Sequence, residues 1–171
     1  MPCLLYTSDV YKRQGSVCAR AGCELCLMHM QGTPETMQQD PTYENVAEEV
    51  RDELLLKAAK ARSEGVAQGK IWIDPGIGFG KNDHHNFALL NALPYFVSTG
   101  YPVLIGVSRK GFIGRALATE GKPAPVGKRL EGTLALQIFA QLQGVSAIRA
   151  HDVAEARKAI DVISLLNNVD I

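Results

Sequence analysis

The stretch Ile71-Trp-Ile-Asp-Pro-Gly-Ile-Gly-Phe-Gly-Lys81 decides how this chain folds. Its first three residues are β-branched or aromatic, as in a short strand with both faces covered. Pro75 has no N–H to donate and ends the strand, which leaves the carboxylate of Asp74 at its carboxyl end. The three glycines that follow allow a flat ligand to approach the main chain. An α/β protein usually keeps its chemistry at such a strand end. The alternative is a plain turn in which Asp74 is solvated or caps a helix.

Two further apolar segments also end in polar side chains. Tyr101-Pro-Val-Leu-Ile-Gly-Val-Ser-Arg-Lys-Gly111 predicts a strand over 103–107, followed by a hydroxyl and two cations that suit an anionic or carbonyl-bearing ligand. Leu25-Cys-Leu-Met-His-Met-Gln-Gly32 predicts a strand with His29 beyond its end. A histidine there is more often structural than catalytic, and Met28 is either core filler or a soft contact for an aromatic ligand.

The segment Ser146-Ala-Ile-Arg-Ala-His-Asp-Val153 forms a fourth strand end. On an extended strand Arg149 and His151 point the same way, and both can donate to a phosphate or another anion. The alternative for Arg149 is a structural pair with a carboxylate. Asp152 has the position and the side chain of a helix N-cap.

Amphipathic stretches between these strand ends predict helices. Their ranges are 43–66, with Val46, Val50, Leu54 and Ala58 at four-residue spacing; 87–97, which Pro94 should kink or end; 130–142, with Leu134, Ile138 and Leu142; and 153–166. Strand, loop and helix therefore alternate, which predicts one α/β domain of parallel strands with helical crossovers.

Composition narrows the class of protein. Lys plus Arg and Asp plus Glu both number 18, so no net charge favours nucleic acid or an acidic membrane. No apolar run has the length of a membrane span, and we expect a cytoplasmic protein. Cys23 and Cys26 have the spacing of half a zinc site, but no second half follows, so we expect reduced, structural cysteines. The glycine loop lacks the spacing of a dinucleotide site.

Four motifs in this order resemble the C-terminal motifs of the dihydropteroate synthase family: Met28-His-Met-Gln-Gly-Thr-Pro34, Asp74-Pro-Gly-Ile-Gly-Phe-Gly-Lys81, Gly106-Val-Ser-Arg-Lys110 and Arg149-Ala-His-Asp-Val153. The resemblance runs from about Val17 to the end. It implies a TIM (β/α)8 barrel, of which this chain would hold about the last four β/α units. It also implies a transferase of folate biosynthesis, which joins para-aminobenzoate to 6-hydroxymethyl-7,8-dihydropterin pyrophosphate and releases 7,8-dihydropteroate and pyrophosphate.

The resemblance also implies roles for individual residues. Asp74 would hold the amidine-like edge of the pterin through two parallel N–H bonds, and Lys110 would reach the pterin ring. Arg149 would face the pterin and, with His151, would bind the departing pyrophosphate, so these four residues would carry catalysis by stabilising the charge separation. The other substrate-binding residues implied are Met28, Gly78, Phe79, Gly106, Ser108 and Arg109.

The family binds Mg²⁺ with the pyrophosphate, through an Asn in its N-terminal half, so we expect no metal ligand in this chain. Its full-length members imply a homodimer. Residues 1–14 resemble nothing in the family and look like a translated sequencing adapter, which predicts a non-native leader before a partial barrel over 15–171. We expect such a fragment to lack full activity alone.

Two other functions fit the same residues. One is a pterin-binding methyltransferase that acts on methyltetrahydrofolate and a corrinoid protein, against which the trio Ser108, Arg109 and Lys110 argues, because it matches the synthases. The other is a non-catalytic half barrel that dimerises or docks on a partner to cover its open sheet edges.

Overall fold

The computed structural model describes the backbone of residues 3–6 and all of residues 14–166. Within these residues, strands and helices alternate along the chain. The strands are β1 (Cys3–Tyr6), β2 (Glu24–Met28), β3 (Ile71–Asp74), β4 (Leu104–Ile105) and β5 (Ala147–Ile148). The helices are α1 (Gln14–Ala21), α2 (Val46–Ser63), α3 (Asp83–Asn91), α4 (Leu93–Val97), α5 (Gly111–Ala116), α6 (Leu130–Leu142) and α7 (Val153–Leu166).

Every strand pairing in the described residues is parallel and follows chain order. Strands β1, β2 and β3 form one sheet, and β4 pairs with β5. A parallel bridge between Ile73 and Val103 joins the two groups, and the N–H of Ile73 donates to the carbonyl of Pro102 at 3.0 Å. The α/β class with parallel strands and helical crossovers is confirmed. The carboxyl ends of the strands therefore lie at one edge, where the predicted site residues follow them.

Helix α2 follows the predicted pattern. Asn45 caps its start, since the side chain accepts hydrogen bonds from the first-turn N–H groups of Ala47 and Glu48. The four apolar residues predicted at four-residue spacing are all buried: Val46, Val50, Leu54 and Ala58. This stripe packs on the sheet and buries the apolar faces of β2 and β3 from one side.

Helix α6 spans the predicted residues, but the buried face predicted for it is wrong. The leucine at 142 is exposed, and the buried positions are Thr133, Gln137 and Ala140. Both side-chain polar atoms of Gln137 are buried without a hydrogen-bond partner. Contacts with neighbouring elements, rather than the apolar stripe, decide which face of α6 is buried. The side chains on the buried face are a hydroxyl, an amide and a methyl group.

Three other details differ from the sequence-based expectations. The predicted helix over 87–97 is two helices, α3 and α4, with an earlier start at Asp83; the break occurs next to Pro94, which was expected to kink or end the helix and lies in the first turn of α4. Strand β5 ends at Ile148, one residue before Arg149, so the expectation of an extended strand through His151 is wrong. Strand β1 lies within the predicted leader, where no strand was expected, and pairs with β2.

None of the described helices is long and apolar enough to cross a membrane. Cys26 lies in β2, as expected, rather than at the start of a helix. Cys18, Cys23 and Cys26 are all reduced. This arrangement excludes a redox motif of the thioredoxin kind, which places its first cysteine at a helix N-terminus.

Candidate active site

Asp74 is the last residue of β3, and its side chain is almost completely enclosed, with 4% of the residue exposed. Its Oδ1 accepts a hydrogen bond from the N–H of Gly76 at 2.8 Å. Burial raises the pKa of Asp74, while the Gly76 bond and then the cations Lys110, Arg149 and Lys81 act in the opposite direction. Asp74 is therefore a buried acceptor whose charge depends on the cations around it.

The glycines of the loop after Asp74 serve a purpose that the sequence analysis missed. Gly76 has φ +69°, and a Cβ there would stand 1.8 Å from the carbonyl oxygen of His29. A Cβ on Gly80 would stand 2.6 Å from the carbonyl oxygen of Gln31. The expectation that these glycines leave room for a ligand is wrong for both positions, since the backbone beyond β2 fills the space.

Gly78 makes room for a side chain instead. A Cβ there would lie 3.2 Å from Cδ of Lys110. The Lys110 ammonium donates to the carbonyl of Ile77 and lies 4.6 Å from the centroid of the Phe79 ring. Burial lowers the pKa of Lys110 to about 8, although Asp74 raises it. The structure thus brings Gly78, Phe79, Lys110 and Asp74 together, as predicted.

A cavity of about 450 Å³ opens beside these residues, at the ends of β4 and β5. Ser108 and His151 meet in it: the His151 N–H donates to Ser108 Oγ at 3.1 Å, and His151 Nδ1 lies 2.9 Å from the same oxygen. Arg149 lies over Gly106, where a Cβ would stand 3.1 Å from Nη2. The lining residues are Gly106, Ser108, Arg109, Lys110, Val126, Arg149, Ala150 and His151.

Arg109 lines the cavity, but its guanidinium pairs with another side chain, that of Asp152. It has φ +57°, and its Nε donates to Asp152 Oδ2 at 2.9 Å. Asp152 lies at the predicted N-cap position of α7, since its carbonyl accepts the first helical N–H, from Ala156, while its carboxylate binds Arg109. The backbone of Arg109 is held by Thr133 Oγ1 and Arg129 Nη1.

Met28 is buried at the end of β2, directly opposite Asp74 in the parallel register. The N–H of the next residue, His29, donates to the carbonyl of Asp74 at 3.0 Å. The side chain of Met28 therefore lies beside the carboxylate in the sheet.

A buried ionic chain was not predicted. Lys81 is 1% exposed, and its Nζ lies 2.9 Å from His29 Nδ1 and donates to the Phe79 carbonyl at 2.9 Å. On the other side of the imidazole, Nε2 is 3.1 Å from Glu53 Oε2, and Glu53 Oε1 is 2.6 Å from Lys57 Nζ. The sequence did contain a sign of this ionic chain. Lys81 closes an otherwise apolar, glycine-rich loop, and a lysine in that position has little room to reach solvent.

The carboxylate of this chain should contribute to acid sensitivity. The hydrogen bond from His29, assisted by Lys57, lowers the pKa of Glu53 from 4.5 to about 2 although burial opposes the shift. A depressed carboxyl pKa stabilises the fold above the unfolded value, and this stability is lost as pH falls from 4.5 towards 2. Glu53→Gln should therefore lower the unfolding free energy at pH 7, by less than about 1 kcal/mol because Glu53 is half exposed, and the difference should vanish near pH 2.

Urea unfolding at a series of pH values measures this effect. Glu35→Gln is the matched control, since Glu35 is exposed in the loop before α2. A difference for Glu53→Gln that persisted unchanged in acid would show that the carboxylate is not its source.

The cavity lining suits an anion more than a metal. Its charged residues are cations, Arg109, Lys110 and Arg149, and it contains no carboxylate. No group of three or more histidine, cysteine, aspartate or glutamate side chains is arranged to hold a metal ion among the residues that the structure describes. The lining residues therefore do not fit Mg²⁺ directly but do fit a phosphate ester.

Comparison with known proteins identifies the family to which this chain is related. A sequence profile of the family described as pterin binding enzyme matches residues 8–151. The chain is 42% identical over 145 residues to the dihydropteroate synthase of Escherichia coli K12, which covers 85% of this chain and 50% of that protein. It is 42% identical over 147 residues to the dihydropteroate synthase of Mycobacterium leprae, covering 85% and 52%.

Solved structures agree with the sequence relatives. The dihydropteroate synthase of Thermus thermophilus in complex with 4-aminobenzoate superimposes with a TM-score of 0.87 at 37% identity, over 96% of this chain and 66% of that one. The Stenotrophomonas maltophilia enzyme with active-site-bound imidazole gives 0.88 at 32% identity, over 99% and 63%. The chain spans about half the length of the curated relatives it matches. On the matched range and these likenesses, the chain belongs to the pterin binding enzyme family.

Proposed function

We propose that this chain forms the pterin- and pyrophosphate-binding part of a dihydropteroate synthase, a transferase of folate biosynthesis. Its substrates would be 6-hydroxymethyl-7,8-dihydropterin pyrophosphate and para-aminobenzoate. One observation carries the proposal. The buried carboxylate Asp74 lies next to a cationic cavity that is lined by Lys110, Arg149 and His151. One ligand with a donor-rich ring and an anionic tail fits both features.

The chemistry asked of these residues is charge stabilisation. The amine of para-aminobenzoate forms a C–N bond to the pterin methylene, the C–O bond to pyrophosphate breaks, and the amine nitrogen loses a proton. Asp74 accepts two N–H bonds from the ring edge, and Arg149 and His151 take up the negative charge that grows on the leaving oxygen. The nucleophile is the substrate's own amine, so no covalent intermediate with the protein is needed.

The remaining residues assigned to the site take supporting places. Lys110 and Met28 would face the pterin, and Ser108 and Phe79 the aminobenzoate. Magnesium would enter with the pyrophosphate and would help to neutralise its charge, and no residue lining this cavity would hold it.

The fold belongs to the same proposal. We place β2 to β5, with the helices that follow each strand, as consecutive units of a TIM (β/α)8 barrel. Parallel pairing in chain order and the superposition on solved synthases support this. Full-length members would be cytoplasmic homodimers. The relatives named above are synthases, which favours neither a methyltransferase nor a non-catalytic module.

Calorimetric binding of two pterins tests the assigned anion site. Arg149→Ala should weaken binding of the pterin pyrophosphate by roughly tenfold to a hundredfold, the cost of a lost charged hydrogen bond, and weaken binding of the corresponding pterin alcohol by a clearly smaller factor, since Arg149 also favours the ionised form of Asp74.

Arg157→Ala is the matched control, because Arg157 is an exposed arginine of α7 paired with Asp161 at 2.8 Å. It should alter neither affinity. Equal weakening of both ligands by Arg149→Ala would contradict the assignment of the anion to this cavity, and absence of pterin binding to the unaltered chain would contradict the proposed function.

A further inference from the structure

The ionic chain beneath the glycine loop is buried at Lys81 and His29 and partly exposed at Glu53 and Lys57, and the proposed reaction does not use it. Its members come from three elements: Lys81 from the loop after β3, His29 from the end of β2, and Glu53 with Lys57 from α2. A lysine that is 1% exposed is uncommon unless it is paired, and here its nearest side-chain partner is an imidazole nitrogen rather than a carboxylate.

Hydrogen-bond chemistry fixes where the protons lie. An ionised Glu53 only accepts, so the His29 nitrogen facing it at 3.1 Å, Nε2, must carry a hydrogen. An ammonium on Lys81 only donates, so Nδ1, 2.9 Å away, must then be bare. If Nδ1 gained a proton, Lys81 would have to be a neutral amine to accept it. The contact therefore permits one positive charge on the pair, never two.

The pair lies where that charge affects the proposed pterin site. Lys81 Nζ donates to the carbonyl of Phe79 and so braces the glycine loop. The His29 N–H donates to the Asp74 carbonyl at 3.0 Å, so the pair lies next to Asp74 in the fold. Attraction to Asp74 favours the charged form of Lys81, and Lys81 in turn favours the ionised form of Asp74, with a smaller effect than Lys110 or Arg149. Lys110 and Arg149 act on Asp74 in the same direction, but both border the cavity, whereas Lys81 is enclosed by protein.

We propose that Lys81 and His29, oriented by Glu53, share a single positive charge, and that this charge is an enclosed counter-ion that helps Lys110 and Arg149 to keep Asp74 ionised for the pterin. This inference rests on the proposed function for the identity of the ligand. Lys81 acts through Asp74 and is therefore a positioning residue.

The pH dependence follows from the groups around Lys81. These are His29, Glu53 and Lys57 on one side, Asp74 and Lys110 on the other, with the Tyr43 ring 5.8 Å from Nζ. Burial lowers the pKa of Lys81 to about 7. As pH rises through this value the positive charge on Lys81 is lost. The stabilisation that this charge gives to the ionised form of Asp74 is then lost as well, so pterin affinity should fall.

Nuclear magnetic resonance on the unaltered, ligand-free chain tests the shared charge. The chain has four histidines, at 29, 84, 85 and 151, so the imidazole nitrogens of His29 can be assigned. We expect His29 to be the neutral Nε2–H tautomer wherever Lys81 is charged, and the Lys81 Cε signal to titrate near neutral pH, well below the other lysines. Both groups charged at one pH, or a hydrogen on Nδ1 of a neutral His29 beside a charged Lys81, would overturn the shared charge.

Lys81→Met tests the link to Asp74, and Lys57→Met is the matched control, since Lys57 contacts the same Glu53 without reaching Nδ1. The carboxyl ¹³C signal of Asp74 should titrate at higher pH in Lys81→Met than in Lys57→Met. At pH 6 the affinity for a pterin alcohol should be roughly tenfold lower in Lys81→Met, as expected for one buried charge removed. The ratio between the two variants should shrink as pH rises past 8.

The outcomes separate the two proposals. An unchanged Asp74 titration in a folded Lys81→Met chain would overturn the counter-ion role whether or not pterins bind. If the resonances behave as expected but the unaltered chain binds no pterin, the counter-ion stands and the proposed function fails. Should Lys81→Met not fold, the Asp74 carboxyl signal of the unaltered chain decides the matter: it should shift over the pH range in which Lys81 titrates, and a signal that does not respond there would overturn the counter-ion role.

Discussion

Asp74→Asn is expected to reduce pterin affinity by about a hundredfold or more. The carboxylate has acceptor oxygens for two N–H groups of a pterin edge, whereas the amide turns one of them into a donor. Charged hydrogen bonds contribute about 1.5–3 kcal/mol each, so the loss of a bidentate pair costs at least about 3 kcal/mol. Asparagine has nearly the same shape, so the enclosed position can still be filled. Calorimetric titration with a pterin alcohol measures the change.

Asp83→Asn is the control for this substitution. Asp83 is a more exposed aspartate at the start of α3, and it pairs with Arg115 at 2.6 Å, outside the cavity. Its replacement should leave pterin affinity unchanged. If Asp74→Asn folds normally, as thermal unfolding would show, and binds the pterin within about threefold of the unaltered chain, the pterin does not sit on Asp74.

Gly76→Ala is expected to have the largest effect on stability. A methyl group at this position would lie 1.8 Å from the carbonyl oxygen of His29, inside the contact distance of any two heavy atoms. That oxygen belongs to the main chain beyond β2 and cannot rotate away, and φ +69° is itself unfavourable for alanine. The free energy of unfolding should fall by more than about 3 kcal/mol, a large share of the stability of a small domain.

Gly121→Ala separates the two causes. Gly121 has a similar φ of +74°, yet a Cβ there meets nothing within 4 Å, so this variant should lose about 1 kcal/mol from the backbone conformation alone. Urea unfolding compares the two, and soluble yield replaces it if Gly76→Ala does not fold. Equal destabilisation of both variants would show that the loop does not pack against the end of β2 as described.

Helices were the most predictable part of the fold. The four-residue spacing of apolar side chains predicted α2 and its buried stripe, because a helix on a sheet needs one continuous apolar face. The same reasoning gave the wrong buried face for α6. There the choice between Leu142 and Gln137 depends on what the neighbouring elements present, and side-chain polarity does not contain that information.

The sequence predicted which strand ends supply the residues of the candidate site, but it did not predict all of the contacts between those residues. Asp74 and the residues of the cavity wall were identified because polar groups follow apolar strands, and parallel strands bring their carboxyl ends together. The partner of Asp152 was not predictable, since a helix cap and an ion pair with Arg109 use the same carboxylate.

The amino-acid sequence by itself determined the alternation of strands and helices, the parallel class of the fold and the residues that follow each strand end, because these depend on local propensity and spacing. The tertiary structure alone decided what fills the space left by Gly76 and which face of α6 is buried. It also decided that Lys81 meets His29 and Glu53, three residues far apart in the chain. The physical reason is that such contacts depend on how neighbouring strands and a crossover helix pack, and no local pattern encodes that distance.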